Sequence, residues 1–237
     1  MFKVTADKIL PTTIVGSYPR PHWYRESLRG RPFKLALADA LFREQYLDAV
    51  ACILSDQSRA GLDILTDGDA RFDMDVGGRS WFTYPLERLN GVGGHRDSSP
   101  GWSQRFDLRP GHILWEVQEA YQAPIAQEKV TGGPLEYAAI WQMAQRFSER
   151  PVKFGSVSAQ TLPSMLWNDA YQDEREMIHD LATAVNTELR AVADAGCQVI
   201  QVEEPQHHFR ALNPQTTNED LDFLTDAFNR EGEGVEA

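Results

Sequence analysis

One pattern occurs twice in the chain and restricts its fold more than any other: an amphipathic helix, a glycine, a short apolar strand and an acidic exit. In the first copy, Leu37, Leu41, Val50, Ile53 and Leu54 recur with helical spacing over 37–60. Ala60-Gly61 closes that helix, glycine being favoured just past a helix end. Leu62-Asp63-Ile64-Leu65-Thr66 reads as the strand and Asp67-Gly68-Asp69 as its acidic turn. In the second copy, Met177, Leu181, Val185, Leu189 and Val192 mark the buried stripe of a helix over 173–195. Gly196 ends it, Cys197-Gln198-Val199-Ile200-Gln201-Val202 is the strand, and Glu203-Glu204-Pro205 is the exit. Helices that alternate with strands build a parallel α/β fold.

Three further strands fit the same scheme. Thr12-Thr13-Ile14-Val15 leads into Gly16-Ser17, Gln127-Glu128-Lys129-Val130-Thr131 into Gly132-Gly133, and Val152–Ser158 into Ala159-Gln160-Thr161. Helices are expected at about 134–148 and 217–229. The second of these carries Thr216 and Glu219 at capping-box spacing and a stripe of Leu221, Leu224 and Phe228. Residues 77–126 break the rhythm with a run of glycines and prolines and read as a long insertion, with a hairpin near Ile113–Val117. Each strand ends in polar residues, and in α/β barrels the C-terminal strand ends carry the site.

The 237 residues suit one domain able to bury roughly 70–75% of its unfolded surface. No stretch approaches the ~18 apolar residues of a membrane span, and the start lacks a signal-peptide pattern. Cys52 and Cys197 read as reduced core residues, so a cytoplasmic protein is expected. A net charge of −12 argues against nucleic acid or an anionic membrane as the main partner. One basic cluster, His22, Arg25, Arg29, Arg31 and Lys34, is either a solvated face or an anion clamp at a cleft rim.

The stretch Leu10-Pro11-Thr12-Thr13-Ile14-Val15-Gly16-Ser17-Tyr18-Pro19 resembles the opening of the catalytic barrel of the cobalamin-independent methionine synthase family. Gly61–Asp69 is similar to that family's second strand and its acidic end, and Ala195–Pro205 to its fifth strand, in the family's order. The resemblance implies a parallel (β/α)8 TIM-type barrel of which the first five units are present. It also implies an enzyme that transfers a methyl group from 5-methyltetrahydrofolate (polyglutamate) to a zinc-bound thiolate of homocysteine or a related thiol. Zinc matters there because a neutral thiol is mostly protonated, and the metal holds it as the nucleophilic thiolate. Carried over residue by residue, Val15, Gly16 and Ser17 match the loop that holds the amino-acid thiol, and Asp69 and Glu203 match acids that pair with its ammonium. Trp167 matches a tryptophan that stacks on the pterin.

The chain departs from that pattern in places. Asp69 stands where Glu is usual, Glu203 where Asp is usual, and Phe209 where a further acid is usual, which leaves the thiol open. The family's zinc ligands begin with a His-x-Cys motif absent from these residues, so the ligands are expected beyond residue 237. His207-His208 with the two cysteines is a poor substitute, because a tetrahedral site needs four convergent donors. The chain alone is therefore expected to be inactive, as a truncated barrel or as a half completed by a second chain or homo-oligomer. Competing readings are alkyl transfer to a coenzyme M-type thiol, a metal-independent decarboxylase-like barrel using Arg20, Arg25 and Arg71, and a non-catalytic binding subunit.

Overall fold

The computed structural model describes residues 3–28, 30–72, 80–97, 111 and 122–237. In chain order the helices and strands are α1 (Phe33–Ala36), α2 (Ala40–Arg59), β1 (Leu65–Thr66), α3 (Ser80–Leu86), β2 (Asn90–Asp97), β3 (Gln122–Thr131), α4 (Tyr137–Gln145), β4 (Val152–Val157), β5 (Trp167–Asn168), α5 (Glu174–Asp194), β6 (Ile200–Glu203), α6 (Gln206–Ala211) and α7 (Asn218–Gly232). A 3-10 segment, Ala159–Met165, follows β4.

Both copies of the repeated unit form as the spacing predicts. Asp39 and Asp173 cap α2 and α5 by accepting from backbone N–H groups of the first turn. Gly61 (φ 84°) and Gly196 (φ 103°) follow in the left-handed region that ends a helix without a Cβ penalty. The α5 stripe is buried as expected, from Met177 to Val192. In α2 the buried face is Phe42, Tyr46, Ala49, Val50, Ile53 and Leu54, and Leu41 points out at 53% exposure. The face is set by two aromatics that a count of aliphatics passes over. The α7 stripe also shifts. Leu224, Ala227 and Glu231 are buried, Phe228 lies outside, and the capping box is Thr217 with Asp220 rather than Thr216 with Glu219.

The central sheet is parallel, with strand order β1–β4–β6 and Leu65 opposite Val152, Gly155 opposite Gln201 and Val157 opposite Glu203. Helices α2, α4 and α5 bury their apolar faces in the core cluster that these strands share. Three expectations change here. Thr12–Val15 forms no ladder; its backbone is clamped instead by Asp63, whose Oδ2 accepts from Thr12 N and Oγ1 (both 2.9 Å), while Asp63 N and Ile64 N donate to Thr12 O. Residues 127–131 belong to β3, which pairs antiparallel with the glycine-rich β2 and parallel with β5 in a separate three-stranded sheet. The count of five barrel strands thus becomes three joined strands, and no closed barrel forms among the described residues. The third correction is the insertion: within 77–126, residues 80–97 hold a helix and a strand and 122–126 open β3, while the hairpin expected at 113–117 lies outside the described residues. No helix among the described residues is long and apolar enough to cross a membrane.

Strand β1 is two residues long, and a buried glutamine extends its order. Gln57 Nε2 donates to Thr66 O (2.8 Å) and Thr66 N donates to Gln57 Oε1 (2.9 Å), so an α2 side chain replaces a ladder partner. Leucine at position 57 would strand both backbone groups, and Gln57→Leu is expected to cost about 2 kcal/mol in a urea titration. A loss below about 0.5 kcal/mol would show that the pair contributes nothing net.

Candidate functional site

At the C-terminal ends of β1, β4 and β6 lies a cleft of about 300 Å³, at the lower end of the ~300–1,000 Å³ typical of small-molecule sites. Gly16, Ser17, Asp69 and Glu203 line it, from three separated parts of the chain. Arg71, Tyr137 and the β4 residues Gly155 to Val157 complete it. The parallel strands bring these ends together, because each strand exits on the same side of the sheet.

The turn after β1 is built tightly. Tyr18 N donates to Gly68 O (3.0 Å), and a Cβ on Gly68 would sit 2.6 Å from Tyr18 Cβ, so only glycine lets the Ser17 loop approach. Asp69 follows at φ 56°, a left-handed conformation that Asp tolerates better than most residues. Its Oδ2 accepts from Ser17 Oγ (3.1 Å) and its Oδ1 from Arg71 NH1 (3.2 Å). Arg71 NH1 also reaches Asp67 Oδ2 (3.2 Å), and NH2 donates to Gly155 O (2.9 Å), tying the turn to β4.

The electrostatics follow from this burial. Burial pushes the Asp69 carboxyl up to about 6 against the pull of Arg71, with Asp67 adding to the rise, the Ser17 hydroxyl opposing it and Glu203 adding further. Burial works against the Arg71 charge, but Asp67 and Asp69 outweigh it and hold the guanidinium firmly protonated. Beneath the cleft, the buried Lys153 is pushed down by desolvation, and Glu203 and Asp69 partly restore it. Among the described residues, Asp69, Glu203 and Arg71 line the cleft, with Asp67 and Lys153 buried against them, and three carboxylates against two cations leave one net negative charge around it.

The other expected residues lie differently. Val15 is 69% exposed and is not part of the cleft wall. Trp167 sits on β5 in the second sheet with the Arg96 guanidinium 5.2 Å over its ring, also outside that wall. Glu204 is spent on structure: its two oxygens accept from Gln206 N (2.7 Å) and His207 N (3.0 Å) and so cap α6. His207 Nδ1 meets Glu204 (2.9 Å), and His208 is exposed. In the basic cluster, Arg25 Nε donates to His22 O, and Arg31 is taken by Leu28 O, Ser27 O and Asp39; Arg29 lies outside the described residues. These guanidiniums therefore stiffen their own loop. Of the three arginines a decarboxylase reading needs, only Arg71 lines the cleft; Arg20 is held by Phe72 O and Glu26 O.

Sequence reasoning noted Arg71 without placing it beside Asp69, and passed over Tyr137 and Lys153. A lysine between the apolar Val152 and Phe154 in a buried strand was the one readable sign of the last.

A family model for the catalytic domain of the cobalamin-independent synthases matches residues 10–80 and 107–231. The chain belongs to this family. Among its relatives, the methionine synthase of Sulfolobus acidocaldarius is 31% identical over 230 residues, covering 96% of this chain and 59% of that protein. The methionine synthase of Saccharolobus solfataricus is 28% identical, covering 97% and 60%. The structure of a B12-independent methionine synthase from Shewanella sp. W3-18-1 in complex with selenomethionine superposes with a TM-score of 0.68 at 22% identity, covering 96% of this chain and 59% of that one. The likeness to this structure shows an α/β fold of the TIM-barrel type. The chain spans about three-fifths of the length of the curated relatives it matches.

The zinc common to this family finds no donor set in the described residues. No group of three or more His, Cys, Asp and Glu side chains among them is arranged for a metal ion. Cys197 is buried in the link between α5 and β6, its Sγ against Val199 O (3.2 Å), and burial raises its thiol to about 11. Cys52 lies exposed on α2.

Proposed function

We propose that these residues capture the amino-acid end of a thiol substrate for methyl transfer of the cobalamin-independent methionine synthase type. In that reaction a 5-methylfolate donates to homocysteine or a related amino-acid thiol. The observation that carries the reading is the convergence of Asp69 and Glu203 on one cleft that retains a net negative charge. A protonated α-amine entering there replaces its hydration with charge-assisted hydrogen bonds to fixed carboxylates. Ser17 keeps Asp69 turned toward the cleft. Selenomethionine, bound in the Shewanella protein, is an amino acid of this class. The same charge disfavours coenzyme M, whose sulfonate would face Asp69 and Glu203, while Arg71, the cation among the described lining residues, is already held by Asp67 and Asp69.

Zinc, where the family holds it, supplies a thiolate; the residues of this cleft supply grip and orientation. The test is calorimetric titration of the 237-residue chain with L-homocysteine, with 4-mercaptobutyrate (the same thiol acid lacking the amine) and with coenzyme M. Homocysteine is expected to bind at least about tenfold more tightly than either, the worth of one charge-assisted contact. Equal affinities, or tighter coenzyme M, would sink the reading.

A further inference from the structure

We propose that Lys153 is the positioning residue of the cleft, a single buried ammonium that aligns both walls an amino-acid ligand must meet. The inference rests on the amino-acid reading above for its ligand, and on geometry alone for its mechanism. Lys153 lies on β4 at 4% exposure. Its Nζ donates to Ile14 O (2.6 Å) and to Gln201 Oε1 (2.7 Å). Ile14 immediately precedes the Val15-Gly16-Ser17 stretch, so the first bond fixes the loop on one side. Gln201 Nε2 donates in turn to Glu203 Oε1 (3.2 Å), so the second bond fixes the acid on the other side.

The chemistry of the three groups leaves one arrangement. An ammonium only donates and an ionised carboxylate only accepts, while an amide does one at each end. Gln201 must therefore turn its oxygen to Lys153 and its NH2 to Glu203. Without the lysine the amide is free to flip and present an oxygen to Glu203, a repulsive contact. Strand register supports the relay: Gly155 pairs with Gln201 and Val157 with Glu203, which places residues 153, 155, 201 and 203 on the same face of the sheet. Stability gives no reason to keep this lysine. Its direct partners are a neutral carbonyl and a neutral amide, and a buried ammonium so placed is costly. Among the described residues its charge is compensated by Glu203 and Asp69, the two acids of the cleft.

The test uses the full 237-residue chain and the variants Lys153→Met, Gln201→Leu and their combination, with L-homocysteine as ligand and circular dichroism to check folding. Each single change is expected to weaken binding about tenfold, and the double change no more than Lys153→Met alone, because both act on one relay. Binding within twofold of wild type in Lys153→Met, or additive losses in the double variant, would overturn the proposal. If Lys153→Met fails to fold, Gln201→Leu decides: unchanged affinity there refutes the relay. If wild type binds no homocysteine, the amino-acid reading fails and Lys153 is judged without ligand. The side-chain amide resonances of Gln201 and the backbone amides of Gly16 and Ser17 should then all shift in Lys153→Met, and unmoved resonances would refute it.

Discussion

Asparagine in place of Asp69 is expected to weaken L-homocysteine binding by about thirtyfold or more at pH 7.5, since removing one partner of a buried charge pair costs about 2–5 kcal/mol. The substitution is a clean one. Asn keeps the shape of Asp and tolerates the left-handed backbone at φ 56°, whereas Ala would add strain. Arg71 retains Asp67 and Gly155 O, so the turn stays tied to β4. The pH dependence carries the sharper test. With its carboxyl at about 6, Asp69 is ionised at pH 7.5 and largely protonated at pH 5. Wild-type affinity should therefore fall as pH drops through 6, and the gap to Asp69→Asn should close. Stability moves the other way. A carboxyl raised above its ordinary value in the folded state costs stability as pH rises through the window from about 4 to 6, so Asp69→Asn should be no less stable than wild type at pH 7.5. Calorimetry at pH 5, 6, 7 and 8 checks both. A gap that stays constant with pH would mean that Asp69 is not the titrating contact.

The sequence made the repeated unit readable because its signals are local. A period near four over α2 and α5, and glycines 61 and 196 just beyond their ends, depend only on neighbours along the chain. The sheet was less readable because pairing is not local. Residues 127–131 look like a barrel strand in isolation. Their partner, β2, is a run of Asn90-Gly91-Val92-Gly93-Gly94 that strand propensity rejects, and pairing overrides that preference. Thr12–Val15 has a strand's composition, yet Asp63 and Ile64 take the backbone groups of Thr12, and Lys153 takes Ile14 O.

The site divides along the same line. Asp69 and Glu203 stand at strand exits, and Ser17 follows a stretch with a strand's composition, so polar residues announce themselves there, and the cleft brings all three together. Tyr137 reaches it from a helix and Lys153 lies beneath it inside a strand, and no position along the chain marks them as neighbours of the exits. Glu203 and Glu204 read alike in sequence. Only the fold shows that one faces the cleft while the other caps a helix.

Glu231 should make this protein lose stability as pH rises toward 8, and Glu231→Gln should remove that loss. The residue lies on α7 at 1% exposure. Its Oε1 accepts from Ala159 N (2.8 Å), which anchors the 3-10 segment after β4, while Oε2 is buried with no hydrogen-bond partner among the described residues. Burial raises the carboxyl to about 8, the Ala159 bond opposes this, and the charge of Glu204 adds to the rise. Below the ordinary glutamate value the group is neutral in both folded and unfolded chains and has no effect. Between about 4.5 and 8 the folded chain binds the proton more tightly, so stability falls with rising pH by up to about 1.4 kcal/mol per pH unit from this group alone. Above 8 the slope vanishes. Glutamine mimics the neutral acid: its oxygen still accepts from Ala159 N, and it cannot ionise. Melting curves should therefore match within a few degrees at pH 5 and diverge at pH 9, the variant being the more stable by several kcal/mol. Glu231→Ala separates the two roles of the side chain. It too removes the ionisation, but it strands the Ala159 N–H, so at pH 5 it should be less stable than wild type by about 1–3 kcal/mol. A wild-type-minus-glutamine difference that stays flat from pH 5 to pH 9 would show that Glu231 keeps an ordinary carboxyl, with a hydrated Oε2.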